Sequence, residues 1–191
     1  MTVEHYDLVV SLGTDHHPFD RLIGWVDQYL AARPEVKALV QHGFTTAPQH
    51  GEAVNRMPRA ELLEIYRAAE VVLVQGGPGS ILDAREVGLI PLAVPRVASL
   101  GEVVDDHQVE FSRVMQEHGE AIVVTSAEDL ATKLDAALAD PASVRGTERV
   151  PASDAAAANL AAALAPVLAQ PAGQDRTRPL RRLGQILRGL R

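Results

Sequence analysis

Short apolar runs bounded by turn residues alternate along this chain with segments whose apolar residues recur every three to four positions. Val71 to Val74 is such a run and reads as a buried strand. Tyr6 to Leu12, Lys37 to Gln41, Pro91 to Val94 and Ala121 to Val124 read the same way, and Ala53-Val54 as a short strand. Phe19, Leu22, Ile23, Val26, Tyr29 and Leu30 mark one face of a helix reaching Ala32, which Pro34 ends. Leu62, Leu63, Ile65 and Tyr66 mark a helix over Arg59 to Ala69. Ile81, Leu82, Ala84 and Val87 mark one that starts near Ser80 and stops at Gly88. Asp106 stands where an N-cap would, before a helix over His107 to His118 that offers Val109, Phe111, Val114 and Met115 for packing. Ser126 caps a helix to about Ala139, with Glu128 and Asp129 in its first turn. Regular alternation of strand and helix predicts an α/β fold: a parallel sheet covered by helices on both faces, over residues 1–140.

Beyond it, residues 141–178 read as linker around an alanine-rich helix, Ser153 to Gln170. Residues 179–191 read as a helical tail with Leu180, Leu183, Ile186, Leu187 and Leu190 on one face and arginines elsewhere. Charge sharpens this division. The net charge is −7, from 18 basic and 25 acidic residues, but from Arg176 onward there are six arginines and no acid. An acidic body argues against nucleic acid, and aromatics at 4% argue against a base-stacking platform. The basic amphipathic tail fits a contact with a partner or an anionic membrane surface. There is no cysteine, so disulfides and thiolate metal sites are excluded. No apolar run approaches the roughly 20 residues that span a bilayer, and no signal peptide is evident. The expected location is cytoplasmic, at most peripheral to a membrane.

Candidate chemistry gathers in loops. In a sheet of this kind ligands bind beyond the carboxyl ends of the strands. Gly13 to Pro18, His42 to Gly51, Gln75 to Ser80 and Arg96 to Gln108 are expected to meet there. The strand, glycine loop and helix over Val71 to Val87 would bring backbone N–H groups and the positive end of a helix dipole close to a ligand, which suits phosphate. It is no P-loop, because no lysine follows the glycines, and no dinucleotide fingerprint, because Leu82 stands where a third glycine belongs. Asp83, one turn into that helix, can accept ribose hydroxyls or simply be a solvated acid near a helix start. Asp106, His107 and Gln108 can bond sugar hydroxyls or form an ordinary cap. His16 and His17 look catalytic in isolation but show no partner cluster that makes a metal site, so no metal is expected. No Gly-x-Ser-x-Gly elbow supports hydrolase chemistry.

The ordered set of motifs resembles the donor-binding, C-terminal half of GT-B glycosyltransferases of family 28, and within them the small catalytic subunits of two-component enzymes. These include the soluble subunit of the dolichol-linked N-acetylglucosaminyltransferase and bacterial exopolysaccharide counterparts. The landmarks are Val10-Ser11-Leu12-Gly13-Thr14 with Pro18-Phe19-Asp20-Arg21-Leu22, Gln41-His42-Gly43, Gly76-Gly77-Pro78-Gly79-Ser80-Ile81-Leu82, Pro91 to Arg96, Gly101-Glu102 and Asp105-Asp106-His107-Gln108. The resemblance implies a Rossmann-like half of a GT-B enzyme, with Gly13, Thr14 and Glu102 among the donor-binding residues. It implies that Gly76, Gly77, Gly79 and Ser80 hold the diphosphate of a nucleotide-sugar, UDP-linked by analogy. Asp83 falls where relatives carry a ribose-binding glutamate. Asp106, His107 and Gln108 would face the sugar, and Arg56-Met57 would lie near the base. Gln75 replaces the histidine relatives carry before the double glycine; it can donate a hydrogen bond but carries no charge. The implied reaction is inverting transfer without a cofactor, the nucleotide-sugar being the substrate. A membrane-associated partner subunit would bring a lipid-linked saccharide and the general base, with His16 as the candidate in this chain. Gln75 and Asp83 keep open a non-catalytic nucleotide-sugar-binding or scaffolding module. A sugar-nucleotide epimerase would need both halves in one chain.

Overall fold

The computed structural model describes residues 4–149 and 153–168. Its strands are β1 (Leu8–Ser11), β2 (Ala38–Gln41), β3 (Glu52–Val54), β4 (Val71–Gln75), β5 (Leu92–Val94) and β6 (Ile122–Val123). The helices beside them are α1 (Asp20–Ala31), α2 (Arg59–Ala68), α3 (Pro78–Glu86), α4 (His107–Glu117) and α5 (Ala127–Ala139). A further helix, α6 (Ser153–Leu168), belongs to a separate unit, Val150–Arg191. The tail expected at 179–191 lies outside the described residues. Among the described residues no helix is long and apolar enough to cross a membrane.

The strands form one parallel sheet in the order β3-β2-β1-β4-β5-β6. Continuous apolar runs make sense in this setting, because a parallel sheet covered on both faces has no wet side. Successive side chains of a strand point to opposite faces. Leu8, Val10, Val71 and Leu73 therefore pack with α1 and α5 residues such as Phe19, Leu22, Val26, Leu130 and Leu134. Val9, Val72, Val74 and Ala93 pack with Leu62, Leu63 and Tyr66 of α2, Ile81 and Ala84 of α3 and Met115 of α4. Each fully buried leucine or valine contributes about 1.5–3 kcal/mol of transfer free energy.

Predicted and observed elements agree in type and order. Three local expectations change. α3 begins at Pro78 rather than near Ser80, because proline suits the first helical position, where its missing N–H has no partner to lose. Leu82 of α3 and Val109 of α4 are exposed; α4 buries Gln108, Ser112 and Met115, and Phe111 packs against the core as expected. Asp106 stands at the N-cap position of α4 but makes no capping bond; its Oδ1 instead accepts from Ala98 N at 2.9 Å. Ser126 caps α5 as expected, its hydroxyl accepting from Asp129 N at 3.1 Å.

The first compact unit runs to Arg149. The segment after α5 returns along the amino end of the sheet. Ile90 N donates to Val144 O, Gly146 N to Gly88 O and Arg149 N to Arg85 O. Val144 is buried in the core. The Arg85 side chain, only 7% exposed, donates to Glu120, to Leu89 O at 3.1 Å and to Thr147 O at 3.3 Å. A short apolar anchor and a buried arginine thus hold in place a stretch whose composition reads as linker.

Candidate ligand-binding site

The order of the strands sets where a ligand can sit. Strand order reverses at β1 and β4: β2 and β3 are added on one side of β1, β5 and β6 on the other side of β4, so the loops after those two parallel strands diverge and leave a crevice at their carboxyl ends. A cavity of about 480 Å³ lies there. Gly13, Thr14 and Asp15 line it from the β1 loop, Gln75, Gly77, Pro78, Gly79 and Ser80 from the β4 loop, and His107 and Gln108 from the start of α4. Three of the four expected loops therefore converge. The loop over His42 to Gly51 does not line the cavity; the His42 ring bonds Thr45 O at 2.8 Å, and Thr45 Oγ1 accepts from Phe19 N at 3.0 Å.

The glycine loop divides its labour. Gly76 is a packing residue: a Cβ there would come within 2.5 Å of Ser112 Oγ and 2.7 Å of Pro95 Cα. Its N donates to Val94 O at 2.8 Å and its O accepts from Ser112 Oγ at 3.0 Å. Gly77 reaches the cavity, but its N–H donates to Gln75 Oε1 at 2.9 Å, while Gln75 Nε2 donates to Ser80 Oγ at 3.1 Å. Gln75 thus spends both ends of its carboxamide on the loop itself. Gly13, at φ +73 on the facing loop, brings its α-carbon against the same carboxamide; a Cβ there would meet Gln75 Nε2 at 3.0 Å. Gly79 and Ser80 occupy the first turn of α3, where N–H groups have no intrahelical acceptor. A Cβ added at Gly79 would meet nothing within 4 Å. These two N–H groups and the helix dipole form the part of the loop suited to an anion.

Asp83 lines the cavity but is not a lone acid. Its Oδ1 accepts from Arg59 Nε at 2.9 Å and lies 2.8 Å from Arg59 Nη2, which also reaches Glu86 Oε2 at 2.6 Å. Bonds to Glu86 and then Asp83 raise the Arg59 pKa above its ordinary value. Arg59 lines the cavity as well and is the only arginine or lysine among the described residues that do. On the far side the His107 ring is bonded through Nδ1 to Asp105, whose Oδ1 also accepts from His107 N at 3.0 Å. Gln108 is buried and its Oε1 accepts from Arg96 N at 3.2 Å.

Three expected donor-binding residues are not brought to the cavity lining: Gly76, packed as above, Glu102 and Asp106. Glu102 is buried under a two-nitrogen grip from Arg21, with Nε and Nη2 each at 2.8 Å from one carboxylate oxygen, and it also accepts from Val97 N at 2.9 Å. Its carboxylate holds the β5 loop to α1. Asp106 is spent on Ala98 N, as above. Arg56 lies over the Phe44 ring at 5.6 Å and lines a different cavity, whereas Met57 beside it does line this one.

His16 also lies outside the cavity lining and is largely exposed. Asp15 stands beside the two histidines, for which the sequence alone offered no partner cluster that makes a metal site. Asp15 Oδ1 accepts from His17 N at 2.8 Å and lies 2.7 Å from His17 Nδ1. Ligand atoms of Asp15, His16 and His17 fall within 4.8 Å of one another, the one such group among the described residues. Burial pushes the Asp15 carboxyl up, but the bonds from His17 and the nearby Arg96 charge outweigh it and leave the pKa below the ordinary value.

Sequence reasoning missed Ser11, Gln41, Arg59, Leu62 and Tyr66, which complete the wall nearest β1, β2 and α2. Gln41 donates to Ser11 Oγ at 3.0 Å and accepts from Met57 N at 3.1 Å, so it fixes the approach to α2. Position at the end of a strand was the available signal for Ser11 and Gln41. No local signal marks Arg59 or Tyr66, whose placement depends on the crossover that lays α2 against β4.

A protein-family model described as the glycosyltransferase family 28 C-terminal domain matches residues 31–165. No curated protein matches the sequence. Among solved structures, a calicheamicin glycosyltransferase superposes with a TM-score of 0.54 at 18% identity, over 74% of this chain and 37% of its own. MurG of Acinetobacter baumannii does so at 0.53 and 15%, over 75% and 44%. A UDP-GlcNAc 2-epimerase of Methanocaldococcus jannaschii, solved with UDP-GlcNAc and UDP, does so at 0.57 and 10%, over 84% and 46%. These likenesses show the fold, and the chain spans less than half the length of each.

Proposed function

The chain belongs to the glycosyltransferase family 28 C-terminal domain, and from that premise we propose that its cavity binds a nucleoside-diphosphate sugar, UDP-linked, as the donor half of an inverting glycosyltransferase. The observation that carries this reading is the first turn of α3. There the N–H groups of Gly79 and Ser80 and the helix dipole face a cavity at the reversal of the sheet. A diphosphate matches that donor set by charge and by its array of acceptor oxygens. Asp83, on the next turn of the same helix, is placed to accept ribose hydroxyls. His107 and Gln108 close the side on which the sugar would lie.

In the transfer, an acceptor hydroxyl attacks the anomeric carbon as the bond to the diphosphate breaks, inverting that centre. The proton leaves to a general base, and negative charge grows on the departing diphosphate. Fixed backbone donors and the dipole of α3 stabilise that charge without reorganising. The acceptor side and the base come from a partner, a membrane-associated subunit presenting a lipid-linked saccharide. The basic segment 179–191 is the candidate contact to that partner or its membrane. The nucleotide-sugar is the donor substrate, and no further cofactor is invoked.

The Arg59–Asp83 pair and the self-satisfied Gln75 favour one other reading, a non-catalytic nucleotide-sugar-binding module. One experiment separates the two. The full chain is titrated with nucleoside diphosphates and nucleotide-sugars by calorimetry, then assayed for sugar transfer with and without a candidate partner. Donor binding with partner-dependent transfer is expected. Binding without transfer in the reconstituted pair leaves the module, and no binding by any nucleotide-sugar removes both.

A further inference from the structure

We propose that Arg59 is a positioning residue: its side chain fixes the Asp83 carboxylate so that the carboxylate reads the ribose hydroxyls of a nucleoside diphosphate. The proposal rests on the donor reading above and adds a residue that neither the motifs nor the family match assigns. Arg59 is the first residue of α2, and Asp83 stands on the second turn of α3. Two elements separated by a strand of the sheet are therefore tied at the cavity wall by one side chain. Nε and Nη2 of Arg59 both converge on Asp83 Oδ1, at 2.9 and 2.8 Å, which leaves Oδ2 for a ligand. The guanidinium is itself steadied by Glu86, at 2.6 Å from Nη2. A carboxylate on so short a side chain has few rotamers; a planar fork from one side selects among them, which an ammonium on a flexible stem does not.

The same pair answers an electrostatic problem. Asp15 and Asp83 both line a cavity meant for a dianion, and Arg59 is the one arginine or lysine among the described residues that does. By neutralising Asp83 at contact distance, Arg59 lets a carboxylate stand near a diphosphate. Charge and position make different predictions, because only position distinguishes a ligand with ribose hydroxyls from one without them.

The test titrates the full chain by calorimetry with uridine diphosphate and with 2′,3′-dideoxyuridine diphosphate. The natural protein is expected to prefer the hydroxylated ligand at least roughly tenfold, the weight of a hydrogen bond to a charged group. In Arg59→Gln that preference is expected to fall to within about threefold, as the carboxylate loses its orientation. Arg59→Lys keeps the charge and loses the fork; it is expected to keep its affinity for the dideoxy ligand and lose most of the preference. Thermal melts of both variants within a few degrees of the natural protein establish that the fold is intact. A variant Arg59→Gln that weakens both ligands equally overturns the proposal, since charge alone would explain it. So does a lysine variant that keeps the full preference, or a natural protein that binds both ligands alike. Failure of both ligands to bind at all, with other nucleoside diphosphates failing too, overturns the donor reading itself and this inference with it.

Discussion

Asp83 and Arg85 stand two residues apart on α3 and belong to opposite ends of the sheet. Arg85 faces the amino end, where its buried guanidinium ties Glu120 and the carbonyls of Leu89 and Thr147 into one network. Asp83 faces the carboxyl end, where Arg59 holds it at the wall of an open cavity. The chemical pair is the same, arginine with carboxylate. Its surroundings differ: the Arg85 side chain is 7% exposed and that of Arg59 is 56% exposed. A buried guanidinium with each of its nitrogens bonded has one arrangement, and removing it leaves its acceptors to find other partners. A half-exposed pair is worth little to stability and is free to exchange a water or a protein contact for a ligand. One helix thus carries a scaffold residue and a site residue, and burial rather than residue type separates them.

The sharpest way to break this comparison is to remove each side chain in turn. Arg85→Ala is expected to cost about 3 kcal/mol of unfolding free energy in urea titration, because Glu120 loses its closer partner, two carbonyls lose a donor and the space of a buried side chain is left empty. Affinity for a nucleoside diphosphate should be unchanged while the variant remains folded. Asp83→Ala should do the reverse. Its unfolding free energy should move by less than about 1 kcal/mol. Binding should weaken by about 1.5–3 kcal/mol as a charged acceptor of ribose hydroxyls is lost. Equal losses of stability in the two variants would put both residues in the scaffold.

The glycine loop repeats the contrast within four residues. Gly76→Ala drives a methyl into Pro95 Cα and Ser112 Oγ, and one of those neighbours is backbone. Overpacking of this kind costs about 1–3 kcal/mol. Gly79→Ala meets nothing, so stability should hold or rise by up to about 1 kcal/mol from the better helix former. Donor affinity should nonetheless fall, because the added methyl would stand where a diphosphate approaches the N–H groups. Gly77→Ala lies between: the three atoms nearest the new methyl all belong to the Gln75 carboxamide, a side chain that can shift only by giving up its bonds to Gly77 N and Ser80 Oγ. Thermal melts paired with calorimetry on the three variants separate packing from ligand contact. Unaltered donor affinity in Gly79→Ala would move the anion site away from α3.

These contrasts mark where sequence reading stops. The strand and helix pattern was legible, because continuous apolar runs and three-to-four spacing are imposed by burial on both faces of the sheet. The convergence of the loops after β1, β4 and β5 followed from parallel topology alone. The fate of individual polar residues was not legible. Glu102 and Arg21 meet across 81 positions of sequence, and Arg59 and Asp83 across 24. Gly76 and Gly79 look alike in a motif and differ only in what α4 and the β5 loop place beside them. Asp106 looked like a cap because a helix follows it, but Ala98 N offered its carboxylate another donor.

The smallest expected effect concerns proton binding at the amino end. The Glu120 carboxyl is held below its ordinary value of 4.5, first by the hydrogen bond from Arg85, against burial that would raise it, with Arg149 adding a weaker attraction. A depressed folded-state pKa means that the unfolded chain binds more protons between the two values, so stability rises with pH across that window. The contribution is fully present above about pH 4.5 and is lost as pH falls through the folded-state value. Glu120→Gln removes this titration while keeping the shape of the side chain. The natural protein should therefore exceed the variant in stability at neutral pH, and the gap should narrow on acidification through the carboxylate range. Other acids titrate in both proteins and cancel from the difference. Calorimetric melts of the two proteins from pH 7 down to about pH 3 read the gap directly. Parallel curves would mean that Glu120 gains nothing from Arg85 in the folded state. The buried network would then owe its strength to the carbonyls of Leu89 and Thr147 alone. Nucleoside diphosphate affinity at neutral pH should be the same in both proteins, since the changed residue lies at the end of the sheet away from the cavity.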